Sequence, residues 1–138
     1  MDATREHAQT NLDDLRQLAA DIVAYARRKG ASDSVAEVSE GDGHAVSVRQ
    51  GEIETIEYNR DKGLGVTVYL GTRRGHASTS DFSRQAVQDT VDAALNIARF
   101  TAEDDCAGLP DADQLARNYG DLDLYHPWDI TVGQAVEL

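Results

Sequence analysis

Four histidines, one cysteine and a row of glutamates are the residues of this 138-residue chain whose types could carry chemistry: His7, His44, His76, His126, Cys106, and Glu52, Glu54 and Glu57. Zinc-dependent hydrolysis typically places two histidines one helical turn apart around a glutamate, so that both imidazoles meet one ion. No pair among the four histidines has that spacing. His44 and His76 fall on strand-like segments that Glu52, Glu54 or Glu57 could approach. Zinc sites show close ligand spacing or converging partners, and here there is neither, so both read as surface or half-buried strand histidines. Cys106 lies among acidic residues with no basic group beside it, which makes it an inert cysteine rather than a nucleophile. No G-x-S-x-G elbow presents a serine. Gly63-Leu64-Gly65 has the composition of a phosphate loop, but a strand follows it instead of the helix such a loop must open. Glu52, Glu54 and Glu57 could do acid–base work only if their surroundings drove two pKa values apart. With Arg49 and Arg60 close in sequence, a solvated, charge-guarded strand is the stronger reading.

The elements that would position these residues follow from periodicity. Leu12, Leu15, Leu18, Ala19, Ile22, Val23 and Ala26 recur at spacings of three and four and predict a helix. Thr10 or Asn11 can cap its start, and Gly30 follows Arg27-Arg28-Lys29 as a C-terminal stop. Over residues 34–80 the period changes to two. Val46 and Val48 alternate with Ser47 and Arg49, and Leu64, Val66, Val68 and Leu70 alternate with smaller or polar residues. Turn residues at Gly41-Asp42-Gly43, Gln50-Gly51, Asn59-Arg60-Asp61-Lys62-Gly63 and Gly71-Thr72-Arg73-Arg74-Gly75 divide the segment into about five antiparallel strands. Within it Ile53 lies out of phase with Ile56 and Tyr58. Either a bulge near Glu54-Thr55 or an edge strand with mixed faces accounts for that. A second helix is expected after Ser80-Asp81, with Phe82, Ala86, Val87, Val91, Ala94, Leu95 and Ala98 as its apolar stripe and an end near Phe100. The expected fold class is α+β: a two-layer sandwich of an antiparallel meander covered by two helices.

Residues 1–100 then form one domain and residues 101–130 an acidic linker or extended loop. Thr131-Val132-Gly133-Gln134 matches a capping box, so residues 131–138 read as the start of a helix cut short within a longer protein. A net charge of −12 with dispersed basic residues argues against direct nucleic-acid binding, which needs clustered Lys and Arg. No apolar run approaches the roughly 20 residues of a membrane span. The first residues lack the basic end and apolar stretch of a secretory signal, so a cytoplasmic location is expected and no membrane partner.

Particular wording goes further than periodicity. Val48-Arg49-Gln50-Gly51-Glu52-Ile53-Glu54 and Tyr58-Asn59-Arg60-Asp61-Lys62-Gly63-Leu64-Gly65-Val66 closely resemble the N-terminal domain of the PmbA/TldD family. Gly75-His76-Ala77-Ser78-Thr79-Ser80-Asp81, Ile97-Ala98-Arg99-Phe100-Thr101, Ala107-Gly108-Leu109-Pro110-Asp111 and Tyr125-His126-Pro127-Trp128-Asp129-Ile130 continue the likeness. The last pieces favour the PmbA (TldE) branch.

The resemblance implies a longer cytoplasmic protein that assembles with a TldD-like subunit into a zinc metalloprotease acting on peptides, including microcin precursors. It implies zinc in the TldD-type partner, through an H-E-x-x-x-H motif that this chain lacks, and no cofactor or catalytic residue here. The family label "modulator of DNA gyrase" implies an alternative, a regulatory binding protein using the acidic residues 103–123. Under the leading reading an extended peptide substrate would pair with the strand edge formed by Glu52, Ile53, Glu54, Thr55, Ile56, Glu57 and Tyr58, because an open edge reads backbone more than side chains.

Overall fold

The computed structural model describes residues 3–118, 120–124, 126 and 128–138, with side chains from Asn11 onward. The elements run α1 (Ala3–Arg28), β1 (Asp33–Arg49), β2 (Glu52–Leu70), β3 (Arg73–Thr79), α2 (Arg84–Phe100) and α3 (Val132–Val136). The sheet has three strands in the order β1-β2-β3. The α+β class is as expected, but the meander has three strands instead of about five. Gly41-Asp42-Gly43 lies inside β1, and residues 59–63 lie inside β2. Glycine permits a turn without requiring one, and pairing across a long hairpin satisfies the same backbone groups. Only two of the expected turns reverse the chain. Gln50 and Gly51 both have positive φ (54° and 83°), the pattern of a type I′ turn. Gly71 (φ 62°) followed by Thr72 has the pattern of type II′, and the pairing Leu70↔Arg73 closes it.

The chain divides into two compact units, Met1–Glu40 with Lys62–Leu109, and Gly41–Asp61 with Pro110–Leu138. The first unit holds the core. Ile22 and Ala26 of α1, Leu64, Val66 and Val68 of β2, and Val87, Val91, Ala94, Leu95 and Ala98 of α2 are all buried. Each large one contributes on the order of 1.5–3 kcal/mol by leaving water. Leu12 and Val23 lie outside the buried stripe of α1, which keeps the expected Leu18 and adds Tyr25. Seven apolar positions spread wider than the arc that one packing face covers.

Helix α1 begins at Ala3, ahead of the expected caps Thr10 and Asn11. Its end is a Schellman motif. Gly30 has φ 100°, its N–H donates to Arg27 O (3.1 Å), and Ala31 N–H donates to Ala26 O (3.1 Å). The buried Ala31 and Ala26 supply the accompanying apolar contact. Ser32 then ties this exit to the β2–β3 turn. Its N–H and hydroxyl both donate to Tyr69 O at 2.9 Å, and its oxygen accepts from Gly71 N–H at 3.0 Å.

Helix α2 is capped by Ser83, not by Ser80 or Asp81. The Ser83 hydroxyl oxygen accepts from Ala86 N–H at 3.4 Å, while Phe82 just before it packs on the core. Asp81 acts one step earlier by accepting from Ser83 N–H at 2.8 Å. Those bonds, first from the Ser83 backbone and then from its hydroxyl, hold the Asp81 carboxyl below the ordinary carboxylate range. A folded-state pKa below the unfolded value of about 3.9 contributes stability above that value, which is lost as pH falls through the lower folded one. Asp81→Asn should therefore unfold at lower temperature than the parent near neutrality, with the gap closing as pH drops from about 6 to about 2. A gap that stays constant across the thermal melts would refute this account.

The approach of α2 to β3 is closer than side chains allow. A Cβ built on Gly75 would overlap the Ala94 carbonyl oxygen and lie 2.6 Å from Ala98 N. Gly75 is thus a strand residue facing a helix backbone, whereas its sequence context reads as a turn.

Candidate functional site

The strand proposed to meet substrate lies in the second unit. All residues from 51 to 61 are exposed, and the large apolar ones are Ile53 (51% accessible), Ile56 (51%) and Tyr58 (68%). Val48 on β1 adds to them at 47%. An apolar row left this open lacks a cover of its own. Strand β2 pairs with β1 on one side, and β3 pairs only with residues 64–70 of β2. The opposite edge of residues 52–63 therefore has no strand on it among the described residues. An edge of this kind leaves N–H and C=O groups without a ladder partner. Glu52, Ile53, Glu54, Thr55, Ile56, Glu57 and Tyr58 all lie on this segment.

The faces of the arm follow from parity. A two-residue turn sets Arg49 opposite Glu52, which puts Glu54 on the Arg49 face, and Arg49 Nη1 lies 3.5 Å from Glu54 Oε1. Residues with even numbers near the turn thus face odd-numbered residues of β1. Further along, a Cβ on Gly63 would lie 3.6 Å from Ser39 Oγ, so here odd faces odd. One extra residue therefore enters one of the two strands between these points, as a bulge near Glu54-Thr55 would supply.

Elsewhere in the second unit, Thr131 caps α3 with the expected capping box. Its N–H donates to Gln134 Oε1 (2.9 Å) while its hydroxyl oxygen accepts from Gln134 N–H (3.3 Å). Leu122, Leu124 and Trp128 are largely exposed. Tyr125 and Pro127 of the resembling wording lie outside the described residues.

Among the described residues no three His, Cys, Asp or Glu side chains come together to hold a metal. His76 is instead engaged with Thr67, whose Oγ1 lies 3.0 Å from its Nδ1, and its ring lies over Gly65. The acidic row has one ion pair, Arg49–Glu54, and Cys106 is exposed. No helix among the described residues is long and apolar enough to cross a membrane.

Sequence reasoning located this strand but missed Gly75, the Ser83 cap and the tie through Ser32. A glycine inside a strand, which often marks close backbone approach, was the available signal for the first.

Comparison with known proteins agrees with this architecture. The chain is similar in fold to a candidate modulator of DNA gyrase from Bacteroides thetaiotaomicron, with a TM-score of 0.73 over 82% of this chain and 26% of that one, at 21% identity. The crystal structure of TldE from Thermococcus kodakarensis gives a TM-score of 0.61 over 67% of this chain and 21% of that one, at 16% identity. Identities this low speak to fold alone. The family model described as "PmbA/TldA metallopeptidase domain 1" matches residues 35–98. The chain belongs to the PmbA/TldD family, whose first domain it carries. Its relatives include the metalloprotease PmbA homolog of Haemophilus influenzae, 47% identical over 91% of this chain, and the metalloprotease PmbA of Escherichia coli, 50% identical over 73%. The chain spans about a quarter of their length, 28% and 22% respectively.

Proposed function

We propose that this chain is the non-catalytic first domain of a PmbA/TldE-type subunit in a cytoplasmic zinc metalloprotease complex that degrades or processes peptides, microcin-type precursors among them. Zinc is assigned to a TldD-like partner subunit, a reading supported by the lack of a ligand cluster among the described residues. The observation that carries the reading is the open edge of β2 over residues 52–63 on an arm with exposed Ile53, Ile56 and Tyr58. With a bulge at Glu54-Thr55, residues Val46, Val48, Ile53, Ile56 and Tyr58 fall on one face of the arm. That face seats a subunit, while the edge pairs with an extended peptide. The names of the relatives support a place in a PmbA-type metalloprotease.

Alternate residues of a strand turn their backbone groups to opposite sides. Of Ile56→Pro and Glu57→Pro, one breaks pairing with β1 and the other breaks only the open edge. The edge variant should keep the parent circular dichroism and lose peptide binding, while Ile56→Val keeps both. Equal peptide binding by the edge variant and Ile56→Val would sink the proposal. A pull-down with the chain separates the rival class. Recovery of a TldD-like subunit supports the protease reading, and recovery of gyrase supports a regulatory role for the exposed acidic residues 103–118 and 120–123.

A further inference from the structure

A half-enclosed cavity in the first unit carries charges that the arm does not use. Its volume is about 390 Å³, and Tyr69, Thr72, Arg74, Thr101, Asp104 and Gly108 line it. Backbone bonds preform its walls. Asp104 N–H donates to Thr72 O at 3.1 Å, and Ala107 N–H donates to Asp104 O at 2.8 Å. Arg73 clamps the segment after α2 by donating to Arg99 O (3.3 Å) and to Glu103 Oε1 (3.1 Å). Two pieces of the sequence that carry the family likeness meet here, ending in Thr101 and beginning at Ala107-Gly108.

Arg74 and Asp104 border the same cavity, yet no ion pair joins them, and among the described residues neither has another ionic partner. Asp104 Oδ1 accepts from Cys106 N–H at 2.9 Å, and both charged side chains are open to solvent and to a ligand. Arg74 favours an anion at this cavity and Asp104 a cation. A ligand carrying both charges satisfies each. We propose that this cavity binds the zwitterionic headgroup of an α-amino acid or of a short unblocked peptide. The carboxylate lies on the Arg74 guanidinium, which suits bidentate recognition, and the ammonium lies on Asp104. The small residues Ala102, Ala107 and Gly108 leave room for the ligand side chain.

Amide chemical-shift titrations of the 138-residue chain with leucine, alanyl-leucine, N-acetyl-leucine and leucinamide test the proposal. Leucine or alanyl-leucine should shift the Thr72, Arg74 and Gly108 amides saturably, and whichever binds tighter identifies the source as free amino acid or peptide. Either blocked leucine should bind about tenfold more weakly or worse. Arg74→Gln and Asp104→Asn should each weaken leucine by a similar factor, and asparagine keeps an acceptor for Cys106 N–H. Arg84→Gln removes one charge at the far end of α2 and should change nothing. Equal binding of leucine and a blocked form, unchanged binding in Arg74→Gln, or no saturable shift overturns the inference. None of these results bears on strand pairing at the arm.

Discussion

Replacing Gly75 with alanine is expected to destabilise the protein by at least about 3 kcal/mol, more than any exposed substitution in the chain. The added methyl would overlap the Ala94 carbonyl oxygen and lie 2.6 Å from Ala98 N. Both obstacles are backbone of α2, so no rotamer change relieves them. The helix must lift from β3, and in doing so it would loosen Val91, Ala94, Leu95 and Ala98, all at most 2% exposed. Thermal unfolding followed by circular dichroism should show a loss of roughly 10 °C for a domain of this size. Gly65→Ala is the comparison. There the nearest atom is His76 Cε1 at 3.3 Å, a side chain that can give way, so the loss should be much smaller. Similar losses for the two glycines would mean that the helix backbone contact is not what matters.

Leu95→Ala should cost about 3–5 kcal/mol, while Phe100→Ala on the same helix should cost less than about 0.5 kcal/mol. Phenylalanine is the larger side chain, so size alone would order the two the other way. Leu95 is 2% exposed within the core cluster, whereas Phe100 is 90% exposed at the end of α2. Truncating Leu95 loses transfer free energy and leaves a cavity that the surrounding backbone closes only in part. Truncating Phe100 changes contacts mostly with water. Urea unfolding of both variants measures the difference. A large loss in Phe100→Ala would mean that this ring is covered in the protein in solution.

Local signals were read correctly where one short segment contains both partners of the interaction. The stop of α1 at Gly30 needs only Ala26, Arg27 and Ala31, all within one turn. The capping box at Thr131 needs only Gln134. Gln50-Gly51 and Gly71-Thr72 are turns by their own backbone preferences. The phase conflict between Ile53 and Ile56 was already visible as a choice between a bulge and mixed faces, because strand parity is a property of the chain itself. Open positions were also legible in kind, since the segment from Glu52 to Tyr58 mixes glutamates with apolar residues that no local partner claims.

Counting turns as strand breaks failed for a physical reason. Gly41, Gly43 and Gly63 allow reversal, but strands that pair with each other satisfy the backbone without it. By itself the amino-acid sequence determined an α+β domain of this family, its two main helices, its hairpin turns and the lack of a helical zinc motif. Only the tertiary structure decided that Gly75 is a contact point for a helix backbone. Among the described residues only it left one edge of residues 52–63 without a strand, and only it set Arg74 and Asp104 around one cavity without pairing them. Each of those depends on segments distant in sequence, and no spacing along the chain records how close they come.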